Sequence, residues 1–168
     1  MKVSLITAVG ENLEIGKNND LLWRLPRDMR FFTETTMGHC VIMGRKNWDS
    51  IPLKYRPLKG RTNIVVSRKK DLQIEGGEVV RSIEDGIELA RTIGDDNVYI
   101  IGGGQIYALA LKNNLVDSMC ITWVHKKFDA DTFFPSFDLK KWNLDTEEHF
   151  ESDEKNPFSF TIAKYSKK

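Results

Sequence analysis

Val98-Tyr-Ile-Ile runs into Gly102-Gly103-Gly104 and then into Gln105-Ile-Tyr-Ala-Leu-Ala-Leu. An apolar run feeding three glycines and a helical stretch brings backbone N–H groups against phosphate. Glycine permits close approach, and a helix N-terminus carries unpaired donors and partial positive charge. The spacing is neither GxGxxG nor a P-loop, and a tight strand-to-helix turn without a ligand stays open on this segment alone. Met43-Gly44-Arg45-Lys46-Asn47-Trp48 repeats the arrangement with two cations at the start of a helix. Cations there oppose the helix dipole, a conflict relieved by a bound polyanion; a solvated basic turn is the bland alternative. Val65-Val66-Ser67-Arg68-Lys69-Lys70 supplies a third basic end. Ligands of open α/β sheets bind at the carboxyl ends of strands, so three such ends say more together than singly. Arg45, Ser67 and Arg68 suit a phosphate monoester such as the 2′-phosphate that separates NADPH from NADH.

Asp28 is the candidate catalytic group. It lies in Leu25-Pro26-Arg27-Asp28-Met29-Arg30-Phe31-Phe32, in the first turn of a helix, with Phe32 four residues on and therefore on the same face. An acid on an apolar face is costly to bury unless something pairs with it; an exposed aspartate serving the helix dipole is the other reading. Asn18-Asn19-Asp20 followed by Leu21-Leu22-Trp23 reads either as a loop that folds over a ligand or as a surface turn pinned by a core tryptophan. The three histidines (His39, His125, His149) are scattered, and Cys40 and Cys120 sit in apolar runs. No metal-ligand spacing exists, so no metal is expected, and both cysteines read as reduced, buried thiols.

These groups need a scaffold. The chain has 168 residues, 40% hydrophobic and 29% charged, with a net charge of +1, enough for one domain over residues 1–168 with a proper core. The charge does not point to nucleic acid, and no run approaches the roughly 20 apolar residues that span a bilayer. The start, through Val3–Val9, reads as a first buried strand rather than a signal peptide, and the expected location is the cytoplasm. Strands are expected at Val3–Val9, Cys40–Met43, Asn63–Val66, Glu78–Val80, Val98–Ile101, Met119–Val124, Trp142–Glu148 and Phe158–Tyr165. Several are apolar on both faces, as in a mostly parallel sheet covered by helices; the last two alternate and suit antiparallel pairing near an edge. Helices are expected from Pro26 through Glu34, over Arg45–Ser50, from a Ser82 cap to a Gly94 stop, and from Gly104 to near Asn113-Asn114. Alternation of this kind argues for an α/β fold.

Ile15-Gly16, Trp23-Arg24-Leu25-Pro26-Arg27-Asp28, Val41-Ile42-Met43-Gly44-Arg45, Trp48, Ser50-Ile51, Pro57-Leu58-Lys59-Gly60-Arg61, Asn63-Ile64-Val65-Val66-Ser67, Ile101-Gly102-Gly103-Gly104, Tyr107 and Asp131-Thr132-Phe133-Phe134-Pro135, in this order and spacing, resemble dihydrofolate reductase along essentially the whole chain. The resemblance implies a single-domain, mostly parallel eight-stranded sheet flanked by about four helices. It implies NADPH-dependent reduction of 7,8-dihydrofolate to tetrahydrofolate, in support of one-carbon metabolism, by a monomer. On it, Asp28 anchors the pterin, Trp23 orders a water near it, and Thr122 bonds to Asp28. Ile6, Ala8, Met29, Phe32, Ile51, Leu58, Ile101 and Tyr107 belong to the substrate site, and Arg61 pairs with the substrate's glutamate carboxylate. Ala8, Ile15 and Gly16 lie near the nicotinamide. Arg45, Lys46, Ser67 and Arg68 hold cofactor phosphates, Gly102, Gly103, Gly104 and Gln105 the pyrophosphate, and Gly44 and Asn47 belong to the cofactor site, Asn47 near its phosphate and nicotinamide ends. Departures from the commonest bacterial pattern are Leu21 for a frequent methionine, Leu22 for proline, Asn47 for Thr or Ser, Ala130 for glycine, and a loop lengthened by Pro52–Arg56. A reductase of the riboflavin pathway on the same fold, and a non-catalytic nucleotide-binding module, are the competing readings. Asp28 with Phe32 and Arg61 argues against the first, and an apolar pocket with an anchoring acid against the second.

Overall fold

Runs that are apolar on both faces become the central strands. The computed structural model describes residues 1–69 and 71–168; Lys70, part of the third basic strand end, lies outside the described residues. In chain order the elements are β1 (Lys2–Val9), β2 (Glu14–Gly16), α1 (Pro26–Thr36), β3 (Cys40–Gly44), α2 (Arg45–Ser50), β4 (Thr62–Val66), β5 (Glu78–Val80), α3 (Ile83–Ile93), β6 (Asn97–Gly102), α4 (Gly104–Lys112), β7 (Ser118–Val124), β8 (Thr132–Phe133), β9 (Trp142–Phe150) and β10 (Phe160–Lys167). Short 3-10 turns cover Leu53–Tyr55 and Leu139–Lys141.

Eight strands form one sheet in the order β5-β4-β3-β6-β1-β7-β10-β9. Pairing is parallel from β5 to β7, and antiparallel where β10 meets β7 and β9. Strands β2 and β8 were not expected; they pair with each other as a separate two-stranded ribbon. The eight expected strands all lie in the large sheet, with the last one at Phe160–Lys167 rather than Phe158–Tyr165.

Alternation along the strands divides the core between the two faces. Val3, Leu5, Ile42, Ile64, Val98, Ile100, Met119 and Ile121 pack with Ile83, Ile87 and Ala90 of α3 and Ile106, Tyr107 and Ala110 of α4. Ile6, Val41, Met43, Val65 and Tyr99 face the other way, toward Trp48 of α2 and Phe31 and Phe32 of α1. Helix α3 starts as its sequence demands: Ser82 Oγ accepts from Asp85 N at 3.0 Å. It stops where Gly94 takes φ 93°, a left-handed conformation that glycine adopts without strain. Of the two thiols, Cys40 is buried, but Cys120 is only half-buried, because it stands on the sheet face that opens toward α1.

Candidate active site

Asp28 is 9% exposed, so the dipole-serving surface acid is excluded. Its helix starts with Pro26, whose missing N–H is no loss at that position. Leu25 before it offers no side-chain cap; the next free donor, Arg27 N, is instead taken at 3.1 Å by Oδ1 of Asn156, a buried residue 129 positions away. Asn156 is itself held by Asp153, which accepts from its backbone N at 2.7 Å and its Nδ2 at 3.0 Å. A remote loop thus caps the helix that carries the acid.

Across from α1, Thr122 of β7 donates its hydroxyl to Asp28 Oδ1 at 2.7 Å. Thr122 stands opposite Ala8 of β1, and Ile6 lies two residues earlier on the same face. Burial raises the Asp28 pKa above the ordinary carboxylate range, and the Thr122 hydrogen bond partly offsets this. No fully buried side-chain N or O among the described residues lacks a partner. The outcome is an acid in apolar surroundings, pinned on one oxygen and ready to bond a ligand with the other.

The surrounding wall is the second core cluster, in which Phe32, Ile51, Leu58 and Ile101 pack as half-buried members. Met29 is more exposed, at 49%, on the flank of α1. Tyr107 is different from its expected neighbours. It is 4% exposed and packs in the core on the α3–α4 face, and its hydroxyl donates to Ile6 O at 2.8 Å. It therefore braces the wall from behind. Trp23 is half-buried against Phe128, with ring centroids 4.9 Å apart.

Arg61 precedes β4. Its Nε donates to Lys59 O at 2.9 Å and its Nη1 to Thr36 Oγ1 at 3.3 Å, and its guanidinium stands 6.0 Å from the centre of the Phe32 ring. No ion pair to Arg61 exists among the described residues. Burial lowers its pKa, as expected for a cation withdrawn from water without an anion beside it. Helix α1 links the two polar ends: Asp28 lies in its first turn and Thr36, which receives Arg61, in its last. At 1.5 Å rise per residue they are about 12 Å apart along the axis.

The three glycine-or-basic strand ends come together. Gly44 pairs with Val66, and Met43 with Gly102, so Gly44-Arg45, Ser67-Arg68 and the turn at Gly102–Gly104 sit side by side on β3, β4 and β6. Strand β3 leaves for α2 on one face and its neighbour β6 leaves for α4 on the other, which opens a crevice at the strand ends. Gly102 has φ 107°, and a Cβ there would lie 2.9 Å from the Tyr107 ring; a Cβ on Gly103 would meet nothing within 4 Å. The turn is closed by protein below and open at Gly103, a shape that fits a diphosphate against the first N–H groups of α4. Lys46, Arg68 and Gln105 are exposed, and Asn47 and Ser67 half-buried. Arg45 is not a free cation: its Nε lies 3.4 Å from Asp49 Oδ2. Ser67 Oγ accepts from Lys69 N at 3.2 Å.

The unexpected ribbon completes the enclosure. Gly16 pairs with Thr132, and Ile15, Thr132 and Phe133 all lie within 4 Å of a Cβ built on Gly104. Beyond Gly16 the chain turns at Asn18 (φ 51°) and Asn19 (φ 59°), with reciprocal backbone bonds between Lys17 and Asp20. This hairpin is fastened to the loop at 129–132: Lys17 pairs with Asp129, and Asn18 N donates to Asp131 Oδ2 at 3.0 Å. Ala130 has no positive φ, so alanine fits there without strain. Glu14, 1% exposed, is another residue the sequence did not single out; its carboxylate accepts from Asn12 N and Phe128 N and fixes the ribbon's base.

Comparison with known proteins gives one answer. The family model described as Dihydrofolate reductase matches residues 2–167. The dihydrofolate reductase of Bacillus subtilis is 39% identical over 166 residues, covering 99% of this chain and 95% of that one. The dihydrofolate reductase of Neisseria gonorrhoeae is 43% identical over 142 residues, 84% of each chain. A solved dihydrofolate reductase from Enterococcus faecalis, complexed with NADP(H) and RAB-propyl, superposes with a TM-score of 0.87 at 31% identity, covering 99% of this chain and 96% of that one. Every strand of the large sheet falls inside residues 2–167 matched by the family model, together with both loops that enclose the cleft, and the chain accordingly belongs to the dihydrofolate reductase family.

Proposed function

We propose that the NADPH-dependent reduction of 7,8-dihydrofolate to 5,6,7,8-tetrahydrofolate by this chain is organised around Asp28. The observation that carries this reading is the buried Asp28–Thr122 pair facing the apolar wall of Ile6, Phe32 and Ile101. An ionised carboxylate is acceptor-only, so Asp28 suits the two donors that a pterin presents, its 2-amino group and N3–H. The bound nicotinamide supplies the hydride, which goes to pterin C6. Asp28 is too short to serve both the amino group and N5. It holds the ring, and solvent delivers the proton to N5, with Trp23 ordering the water.

Ala8, Met29, Phe32, Ile51, Leu58 and Ile101 enclose the pterin and benzoyl groups, with Tyr107 supporting Ile6. Arg61, an unpaired guanidinium about a helix length from Asp28, receives the glutamate carboxylate as a planar fork. Gly102, Gly103, Gly104 and Gln105 seat the pyrophosphate. Gly44, Arg45, Lys46, Ser67 and Arg68 line the end of the cofactor that carries the 2′-phosphate, and Arg45 exchanges its Asp49 partner for that phosphate. Ala8, Ile15 and Gly16 border the nicotinamide. The loop from Gly16 to Trp23 excludes bulk water while donor and acceptor carbons are in register.

The protein acts in the cytoplasm as a monomer. Two free thiols suit a reducing compartment, and the exposed edge strand β9 carries Asp145, Glu147 and Glu148, which discourage pairing with another sheet. Among the described residues no helix is long and apolar enough to cross a membrane. The purified protein, given NADPH and dihydrofolate, is expected to consume both with the matching loss of absorbance, and to work far less well with NADH. No turnover with NADPH would overturn the reading.

A further inference from the structure

Pairing in the middle of the sheet breaks at one point. Val41 lies opposite Tyr99 and Ile42 opposite Ile100, but Met43 lies opposite Gly102, so Ile101 is skipped. On the other side, the β1–β6 register ends at Leu5 and Ile100. Ile101 therefore faces no residue on either neighbouring strand, in the last position before the glycine turn. A bulge of this kind takes one residue out of the ladder and re-aims it, and the carbonyl it frees must find a donor elsewhere. Asn47 provides it: Nδ2 donates to Ile101 O at 3.2 Å. Asn47 is half-buried and lies in the first turn of α2. Where β1 parts from β6 its chain is held in a matching way, by the Tyr107 hydroxyl on Ile6 O. Each wall strand is thus fixed by a side chain from a helix on the cofactor side.

We infer that Asn47 is a positioning residue for hydride transfer, whose amide fixes the Ile101 bulge and thereby sets the substrate wall against the cofactor seat. Ile101 packs its side chain into the cluster beside Phe32, Ile51 and Leu58, while the next residue, Gly102, begins the turn that receives pyrophosphate. A shift at this carbonyl moves both surfaces at once, and transfer between two carbons is sensitive to a misplacement of about 1 Å. The inference rests on the ligand placement proposed above. It differs from a direct contact between Asn47 and the cofactor, which would leave the substrate wall unaffected.

The test compares Asn47→Leu, which removes the donor at similar volume, with Asn47→Gln, which keeps the amide. Folate is titrated into cofactor-free protein by tryptophan fluorescence, and the primary deuterium isotope effect is measured with labelled NADPH at saturation. In N47L, folate affinity should fall about tenfold, the scale of one lost hydrogen bond, and the isotope effect should rise. N47Q should stay close to the parent in both. Asn47→Ala is measured in the same way and replaces N47L if the leucine variant does not fold. Unchanged folate affinity and isotope effect in the donor-free variant, with only the KM for NADPH raised, would make Asn47 a cofactor contact and overturn the inference. Failure of the parent protein to bind folate would instead overturn the ligand placement, so the two failures are distinguishable.

Discussion

Thr122 donates to Asp28 Oδ1 at 2.7 Å across 94 residues of sequence, and this bond acts against the burial that raises the acid's pKa. Threonine's branched side chain suits a strand, and its hydroxyl turns the end of β7 into a donor aimed at α1. Removing the hydroxyl while keeping the shape, Thr122→Val, leaves Asp28 with desolvation alone, so its pKa rises further. Pterin binding needs the acceptor-only, ionised acid. The KM for dihydrofolate should therefore climb on the acid side of the profile, and in T122V that limb should move to higher pH. A limb in the same place would show that the bond does not control the ionisation of Asp28.

Asp28→Asn should lower turnover near neutral pH by about two to three orders of magnitude, the range for losing one preorganised electrostatic contact, with NADPH binding little changed. Stability should go the other way. A folded-state pKa raised above the ordinary 3.8 means that the native state holds the proton more tightly than the unfolded chain. Its stability therefore falls as pH rises from that value through the folded pKa. Asparagine carries no charge to desolvate and can still accept from Thr122. D28N should thus melt at a higher temperature than the parent at pH 7, with the advantage shrinking toward pH 4. Thermal melts across pH check this, and a lower melting temperature at pH 7 would contradict it.

Much of this arrangement is legible in the chain. Strands β1, β3, β4 and β6 are apolar on both faces and leave little doubt about a covered parallel sheet. Ser82 with Asp85, and Gly94, mark the ends of α3. The site is less legible because its parts are joined across long separations. Asp28 can be singled out as an acid near phenylalanines, but the burial that decides its role comes from β7 and from the Asn156 cap, neither of which has a local signal. Thr122 enters only through family resemblance. The β2–β8 ribbon has strands of three and two residues, too short to show a period. Tyr107 sits in a motif beside the glycine turn, yet alternation and helix phase turn it into the core.

Arg61→Ala should raise the KM for dihydrofolate by about ten- to a hundredfold, as expected for losing hydrogen bonds to a charged group, while kcat changes little. The guanidinium is held by Lys59 O and Thr36 Oγ1, so Arg61→Lys, which cannot keep that fork, should recover only part of the loss. Steady-state kinetics with substrates lacking the glutamate tail check the assignment. On those substrates R61A and the parent should be equivalent, and a persisting difference would place Arg61 elsewhere in the mechanism.

Gly102 and Gly103 should respond oppositely to alanine. At Gly102 a Cβ would press on the Tyr107 ring at 2.9 Å, and the residue has φ 107°. Gly102→Ala should lose about 1–3 kcal/mol from the strained backbone alone, and the displaced Tyr107 would release its bond to Ile6 O. At Gly103 a Cβ would meet no protein atom within 4 Å, so Gly103→Ala should melt near the parent temperature. Its new methyl group would occupy the open side of the turn, where the pyrophosphate is proposed to sit, and the KM for NADPH should rise tenfold or more while folate binding to the cofactor-free protein is kept. Denaturation and ligand titration on the same two proteins separate the effects. A G103A protein with unchanged NADPH affinity would mean that the pyrophosphate does not lie against this turn.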